Sequence, residues 1–101
     1  MTRVTRRPAA RADLIEIWLQ TAERWGEAKA DAYFAAIKIA ERTLADHPYA
    51  GLDCSQIRKE LRRYPIGSHF LYYREAGTET LIIRVLQKRM NADQHLDDDE
   101  D

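Results

Sequence analysis

At 101 residues and 45% hydrophobic content, the chain has the length of one compact domain and no room for two cores. No apolar run approaches the roughly 20 residues of a spanning helix, and the arginine-bearing opening from Met1 to Ala10 lacks an apolar leader core, so the cytoplasm is expected and a membrane is not. The formal net charge of −1 hides an asymmetry, because Asp97, Asp98, Asp99, Glu100 and Asp101 are all acidic, and without these five the chain carries 16 basic against 12 acidic residues.

The acidic run 97–101 reads as a disordered, solubilising tail, since like charges repel and nothing apolar there can be buried. That leaves 1–96 as the folded domain. Its basic residues crowd into the second half: Arg58, Lys59, Arg62, Arg63, Arg74, Arg84, Lys88 and Arg89. Charge of that sign suits an anionic partner, either nucleic acid or an acidic peptide. The single cysteine, Cys54, permits no internal disulfide and no metal cluster, and it reads as an incidental loop residue.

In chain order, Arg3 to Arg6 reads as a short strand, and Pro8 opens a helix where its missing N–H costs nothing. Ala10, Leu14, Ile17, Trp18, Thr21 and Trp25 recur at helical spacing and make one apolar face, closed at Gly26 by a left-handed turn. Ala30, Tyr33, Phe34, Ile37, Ala40 and Leu44 make the face of a second helix, with Glu41 among the charges that mostly fall elsewhere; His47-Pro48 stops it. So short a junction predicts an antiparallel helical hairpin. Tyr49 to Gln56 reads as a loop, after which the period becomes two. Strands are predicted over 60–64, 69–74 and 80–86, joined by turns at Pro65–Ser68 and Ala76–Thr78 as an antiparallel meander. In the last strand, simple alternation puts Leu81, Ile83 and Val85 on one side and Ile82, Arg84 and Leu86 on the other. The class is α+β: a helical hairpin on a small antiparallel sheet, in the order β-α-α-β-β-β, with a short C-terminal helix or extension.

Several words of the sequence, in this order, resemble the ParE branch of the ParE/RelE toxin superfamily. They are Pro8-Ala9-Ala10 with Asp13-Leu14 and Ile17; Trp25-Gly26 with Ala30 and Tyr33; Leu44-Ala45 with Pro48 and Gly51; Glu60-Leu61-Arg62-Arg63; Tyr72-Tyr73-Arg74; and Ile83-Arg84-Val85-Leu86 with Arg89-Met90. The likeness runs from about Pro8 to Leu96. It implies a toxin that binds DNA gyrase without a hydrolytic step, so that DNA breaks persist and replication stalls. It also implies a ParD-type antitoxin whose C-terminal segment wraps the toxin. Operator DNA would then be met only through the antitoxin's N-terminal part. The pattern often carries a histidine just after the last strand, where this chain has Gln87.

The alternative within the superfamily is a RelE-like, ribosome-dependent mRNA endoribonuclease, which needs a base, an acid and cations in one cleft. Cations abound, since Arg62, Arg63, Arg84 and Arg89 each suit a phosphate. The acid and base are missing: His69 reads as structural, His47 as a helix-end dipole partner, and His95 as lying near the end of the domain. A third reading is an inactivated member that retains only antitoxin binding. Asp13 and Glu16 read as solvated charge on a helix exterior, and Tyr64, Phe70, Tyr72 and Tyr73 as packing residues. No metal spacing, phosphate-cradling loop or nucleophile motif occurs, so neither metal nor cofactor is expected. The expectation is a binding protein and not an enzyme. Arg62, Arg63, Arg74 and Arg84 are expected as anion anchors for antitoxin or target, with Arg89 and Met90 beside them.

Overall fold

Proline at the first helical position fixes where the chain leaves its first strand. In a computed structural model, which describes residues 2–96, β1 (Arg3–Arg6) passes through Arg7 alone into α1 (Pro8–Trp25). The remaining elements are α2 (Glu27–Asp46), β2 (Leu52–Asp53), β3 (Arg62–Ile66), β4 (His69–Ala76), β5 (Glu79–Gln87) and α3 (Ala92–Leu96). The acidic run 97–101 lies outside the described residues.

The two long helices form the expected hairpin. Only Gly26 separates them, with φ 97° and ψ 161°, a combination that a side chain would strain. This positive φ is not the left-handed helical turn expected there. Ala10, Leu14 and Ile17 of α1 face Ala30, Ile37, Ala40 and Leu44 of α2 and the sheet beneath. Trp25 departs from the predicted face: it sits at the hairpin tip and is 66% exposed. Glu41 departs the other way. It is buried, and its two oxygens accept hydrogen bonds of 2.8 Å from Nε and Nη2 of Arg6, tying α2 to β1.

The α+β class and element order stand as expected, but the sheet has five strands in the order β1-β5-β4-β3-β2 and is mixed. β1 runs parallel to β5, Arg3 beside Glu79 through Arg6 beside Ile82, covering an edge that would otherwise be open. Leu52 and Asp53, inside the predicted loop, add a two-residue antiparallel strand against Arg63 and Arg62. β3 starts later than predicted because Glu60, at φ 65°, belongs to a turn, and it runs through Pro65. That proline lies past the reach of β2, where a missing N–H breaks no bond to an outer strand. Two-residue loops led by Gly67 and Gly77, both at positive φ, join β3 to β4 and β4 to β5.

Alternation fails in β5. Tyr72 pairs with Arg84 but Tyr73 pairs with Ile82, so Ile83 is an extra residue in a bulge. Ile82 and Val85 therefore join Leu14, Ile37, Leu71 and Tyr73 under the helices, while Ile83 and Leu86 enter a second core on the far face. That core also holds Tyr72, Leu61, Ala92 and Leu96, and Cys54 is one of its members, not an incidental loop residue. Burial raises the pKa of the Cys54 thiol. The sheet is covered on both sides.

His69 begins β4 under α2. Tyr33 Oη donates to the carbonyl of Ile66 at 2.8 Å and lies 2.8 Å from His69 Nδ1, which suits a neutral imidazole with its proton on Nδ1. Burial holds the His69 pKa below its ordinary 6.5. The unfolded chain thus binds a proton more readily below pH 6.5, so the stability His69 confers is present above that value and is lost as pH falls toward the folded pKa. Urea midpoints should fall between about pH 7 and pH 5.5, and His69→Gln should reduce that fall. Gly26→Ala should lower stability by about 1–3 kcal/mol through backbone strain alone, with an unchanged denaturant slope.

Candidate functional site

Each arginine singled out from the sequence has a different environment. β1 stops pairing with β5 at Ile82, so the next stretch of that edge has no strand to satisfy it. Asp13, one turn into α1, supplies the acceptor: its Oδ2 takes the Val85 N–H at 2.9 Å. The same carboxylate receives Arg84 Nε at 2.7 Å and Nη2 at 2.8 Å as a bidentate pair. Arg84 Nη1 reaches the His95 carbonyl at 2.6 Å, and Arg58 donates to that of Leu96, so α3 is pinned by two arginines. Asp13 is thus an internal acceptor and not solvated charge. Arg84 is a strut between sheet, α1 and α3, its side chain 18% exposed.

Arg62 lies at the far end of the sheet. Its Nη1 donates to the Gly51 carbonyl at 2.6 Å, and its guanidinium stands 4.8 Å from the Tyr49 ring centroid. Gly51 has no room for a Cβ there, since Tyr73 Oη would lie 2.6 Å away; that hydroxyl donates to Pro48 O and accepts from Gly51 N. Arg63 and Arg74 share the opposite face, that of Tyr72. Arg63 lies 4.0 Å over the Phe70 ring, and its buried Nε has no hydrogen-bond partner among the described residues. Arg74 is half-buried, with no hydrogen bond or ion pair from its side chain among the described residues. Arg89 is exposed and donates from Nε to Gln87 Oε1 at 2.9 Å, while Met90 packs on the second core. The six residues do not form one cleft.

Two depressions border Arg89. One is lined by Arg24, Ser68, Gln87, Lys88 and Arg89. The other brings Asp13, Glu16, His69, Arg84 and Arg89 around Met90. Of the groups a phosphodiester cleavage would require, that second cleft offers cations, one imidazole and two carboxylates, of which Asp13 is taken up by Arg84 and the Val85 N–H, and Glu16 accepts from Gln20 Nε2 at 2.8 Å. The imidazole is buried, has its Nδ1 against Tyr33, and is held low in pKa, while Arg84 is already engaged with Asp13. Gln87 brings no titratable group. No cluster of three or more metal-ligating side chains occurs among the described residues, and no described helix is long and apolar enough to cross a membrane.

A larger depression lies elsewhere, on the outside of the helical hairpin. Leu14, Ile15, Trp18, Leu19 and Phe34 form an apolar groove of about 570 Å³, with Arg6, Arg11 and Asp31 at its rim. Ile15 is 63% exposed and Leu19 55%, and Trp18 is fixed by its indole N–H to Asp31 Oδ1 at 3.0 Å. Ile15 and Leu19 fall outside the helical stripe that meets the core, which is the stripe that periodicity picks out. Their signal was present: Leu14, Ile15, Ile17, Trp18 and Leu19 together cover more of the helix than one core-facing stripe needs.

Comparison with known proteins bears on this architecture directly. Residues 4–92 match the family model described as ParE toxin of type II toxin-antitoxin system, parDE. Toxin ParE1 of Mycobacterium tuberculosis (strain CDC 1551 / Oshkosh) is 41% identical over 90 residues, which cover 88% of this chain and 92% of that protein. Toxin ParE1 of Caulobacter vibrioides is 39% identical over 94 residues, covering 93% and 95% respectively. A solved structure of the chromosomal ParDE TA system from P. aeruginosa shares the fold, with a TM-score of 0.74 at 20% identity, over 86% of this chain and 96% of that one. With a five-stranded sheet under a helical hairpin and a family match spanning nearly all of it, the chain belongs to the ParE toxin family of type II toxin–antitoxin systems.

Proposed function

We propose that this toxin acts in the cytoplasm by binding DNA gyrase, without a hydrolytic step, and that a ParD-type antitoxin neutralises it by laying its C-terminal segment in the groove between α1 and α2. The observation that carries the reading is the groove itself. An apolar trough with Ile15 and Leu19 at 63% and 55% exposure is more than a solvated helix face requires, and such grooves accept amphipathic segments. Arg11 at the rim has no hydrogen bond or ion pair from its side chain among the described residues, which suits an acidic partner. The solved structure that shares this fold is that of a chromosomal ParDE TA system from P. aeruginosa.

Arg62, Arg63, Arg74, Arg89 and Met90, spread over the sheet and the exit of β5, are left for the target, while Arg84 supports the sheet from within. Against a ribonuclease stand the engagement of Arg84 by Asp13, the burial of His69 and the absence of a titratable group at Gln87. Purified gyrase, supercoiled plasmid and the antitoxin-free chain should accumulate cleaved DNA, while ribosome-bound mRNA stays whole. Codon-positioned mRNA cuts with normal supercoiling would reverse the assignment.

Three mutational outcomes separate these roles. Ile15→Glu with Leu19→Glu should weaken antitoxin binding by about 30-fold or more in titration calorimetry, with an unchanged circular dichroism spectrum, because two exposed apolar anchors are lost. Arg84→Ala should lower stability by about 2–4 kcal/mol, since it strands Asp13 in a part-buried site. Arg63→Ala should leave the melting temperature within a few degrees and lower gyrase inhibition instead.

A further inference from the structure

The pocket formed by Arg24, Ser68, Gln87, Lys88 and Arg89 differs from its neighbours in carrying three cations and no carboxylate. The adjoining cleft includes Asp13 and Glu16, and the depression beside Arg62 includes Asp53, Glu60 and Glu75. The pocket is assembled from three parts of the chain. Arg24 comes from the last turn of α1, Ser68 from the β3–β4 loop, and Gln87, Lys88 and Arg89 from the exit of β5. A backbone bond of 3.0 Å from Lys88 N to Ser68 O fixes the exit against the loop. Gln87 Oε1 receives Arg89 Nε at 2.9 Å and so orients that guanidinium, whose Nη atoms make no hydrogen bond among the described residues. The charge does not end at the pocket. The Lys88 ammonium also stands 5.4 Å from the Phe70 ring centroid, and Arg63 stands 4.0 Å from the same ring.

We infer that this strip, Arg24, Arg89, Lys88 and Arg63 in succession, is a binding site for the phosphodiester backbone of duplex DNA. Guanidinium and ammonium donors beside a serine hydroxyl and a glutamine amide match phosphate oxygens. Cations set out over three elements suit a linear polyanion. An acidic peptide fits less well, because no apolar side chain lines this pocket, whereas Ile15 and Leu19 offer exposed apolar anchors in the hairpin groove. The choice of DNA over RNA rests on the gyrase reading: a toxin seated on that enzyme would hold the DNA it is cutting by its backbone, independent of sequence.

The test uses the antitoxin-free chain, without gyrase, and a fluorescent duplex of about 20 base pairs, with anisotropy followed between about 50 and 200 mM salt. Four phosphate contacts predict a log–log salt slope of about −3.6, and the triple substitution Arg24→Gln, Lys88→Gln, Arg89→Gln should reduce it to about −0.9. Lys29→Gln, on the outside of α2, should not change it. Antitoxin titration of the triple variant checks that the fold is kept. No duplex binding at the lowest salt, an unaltered slope in the triple variant, preference for an RNA of equal length, or binding of poly-glutamate in place of duplex would each overturn the inference. Gyrase inhibition measured alongside keeps the two claims apart: inhibition without duplex binding removes only this inference, and salt-dependent duplex binding without inhibition removes only the gyrase reading.

Discussion

Where β1 turns away to become α1, the edge of β5 needs an acceptor that no strand provides, and the Asp13 carboxylate fills that position. Its second task follows from the first. A carboxylate brought this far from water must be neutralised, and Arg84 does so with two hydrogen bonds while extending a third to the His95 carbonyl. One acid therefore decides where α1 crosses the sheet, and its partner decides where α3 lies against the far face. The Arg6–Glu41 pair performs the corresponding join between β1 and α2. With both helices and both faces fixed to the sheet in this way, the hairpin groove and the basic strip keep a constant relation to each other.

That relation separates two kinds of recognition. The groove is apolar with a sparse charged rim, a surface whose affinity comes from desolvation and packing and is little affected by salt. The strip is cationic and exposed, so whatever it binds will respond to ionic strength. A partner on the hairpin and a partner at the sheet end need not touch the same residues. Neutralisation then calls for a segment long enough to reach from one to the other, or for bulk that keeps a large target away.

Local periodicity made the two helices, the place of their junction and the places of both hairpin turns legible in the sequence, though Pro65, Ile66 and Ala76 belong to strands and not to the turns, because each depends on residues within a few positions: the core stripe of α1, Gly26, Gly67 and Gly77. What was not legible depends on partners far along the chain. Nothing near Asp13 indicates that it will meet residues some seventy positions later, so solvation was the natural reading of its charge. The bulge at Ile83 follows from how β4 and β5 settle their register between two cores, and a run of five aliphatic residues broken only by Arg84 offers no local mark of it. Leu52–Asp53 is too short to have a period. Cys54 was misread because loops are taken to be exposed, whereas this one folds back as a lid on the second core. The resemblance carried the fold and family; it could not separate the arginines that face outward from the one that holds the sheet together.

The free edge of the sheet has a further consequence. On that side the sheet ends in a strand of two residues, and the length of β3 beyond it contains Pro65, which is exposed and has no N–H to offer. The opposite edge is β1, four residues long with Arg3 and Arg6 at its ends. Neither edge is long and flat enough to template another copy of the chain, so cross-strand stacking of the kind that seeds fibres is disfavoured at both. Self-association at high concentration would instead draw on exposed apolar side chains such as Ile15, Leu19 and Ile39 on the helices and Tyr49 and Leu52 beside the short strand.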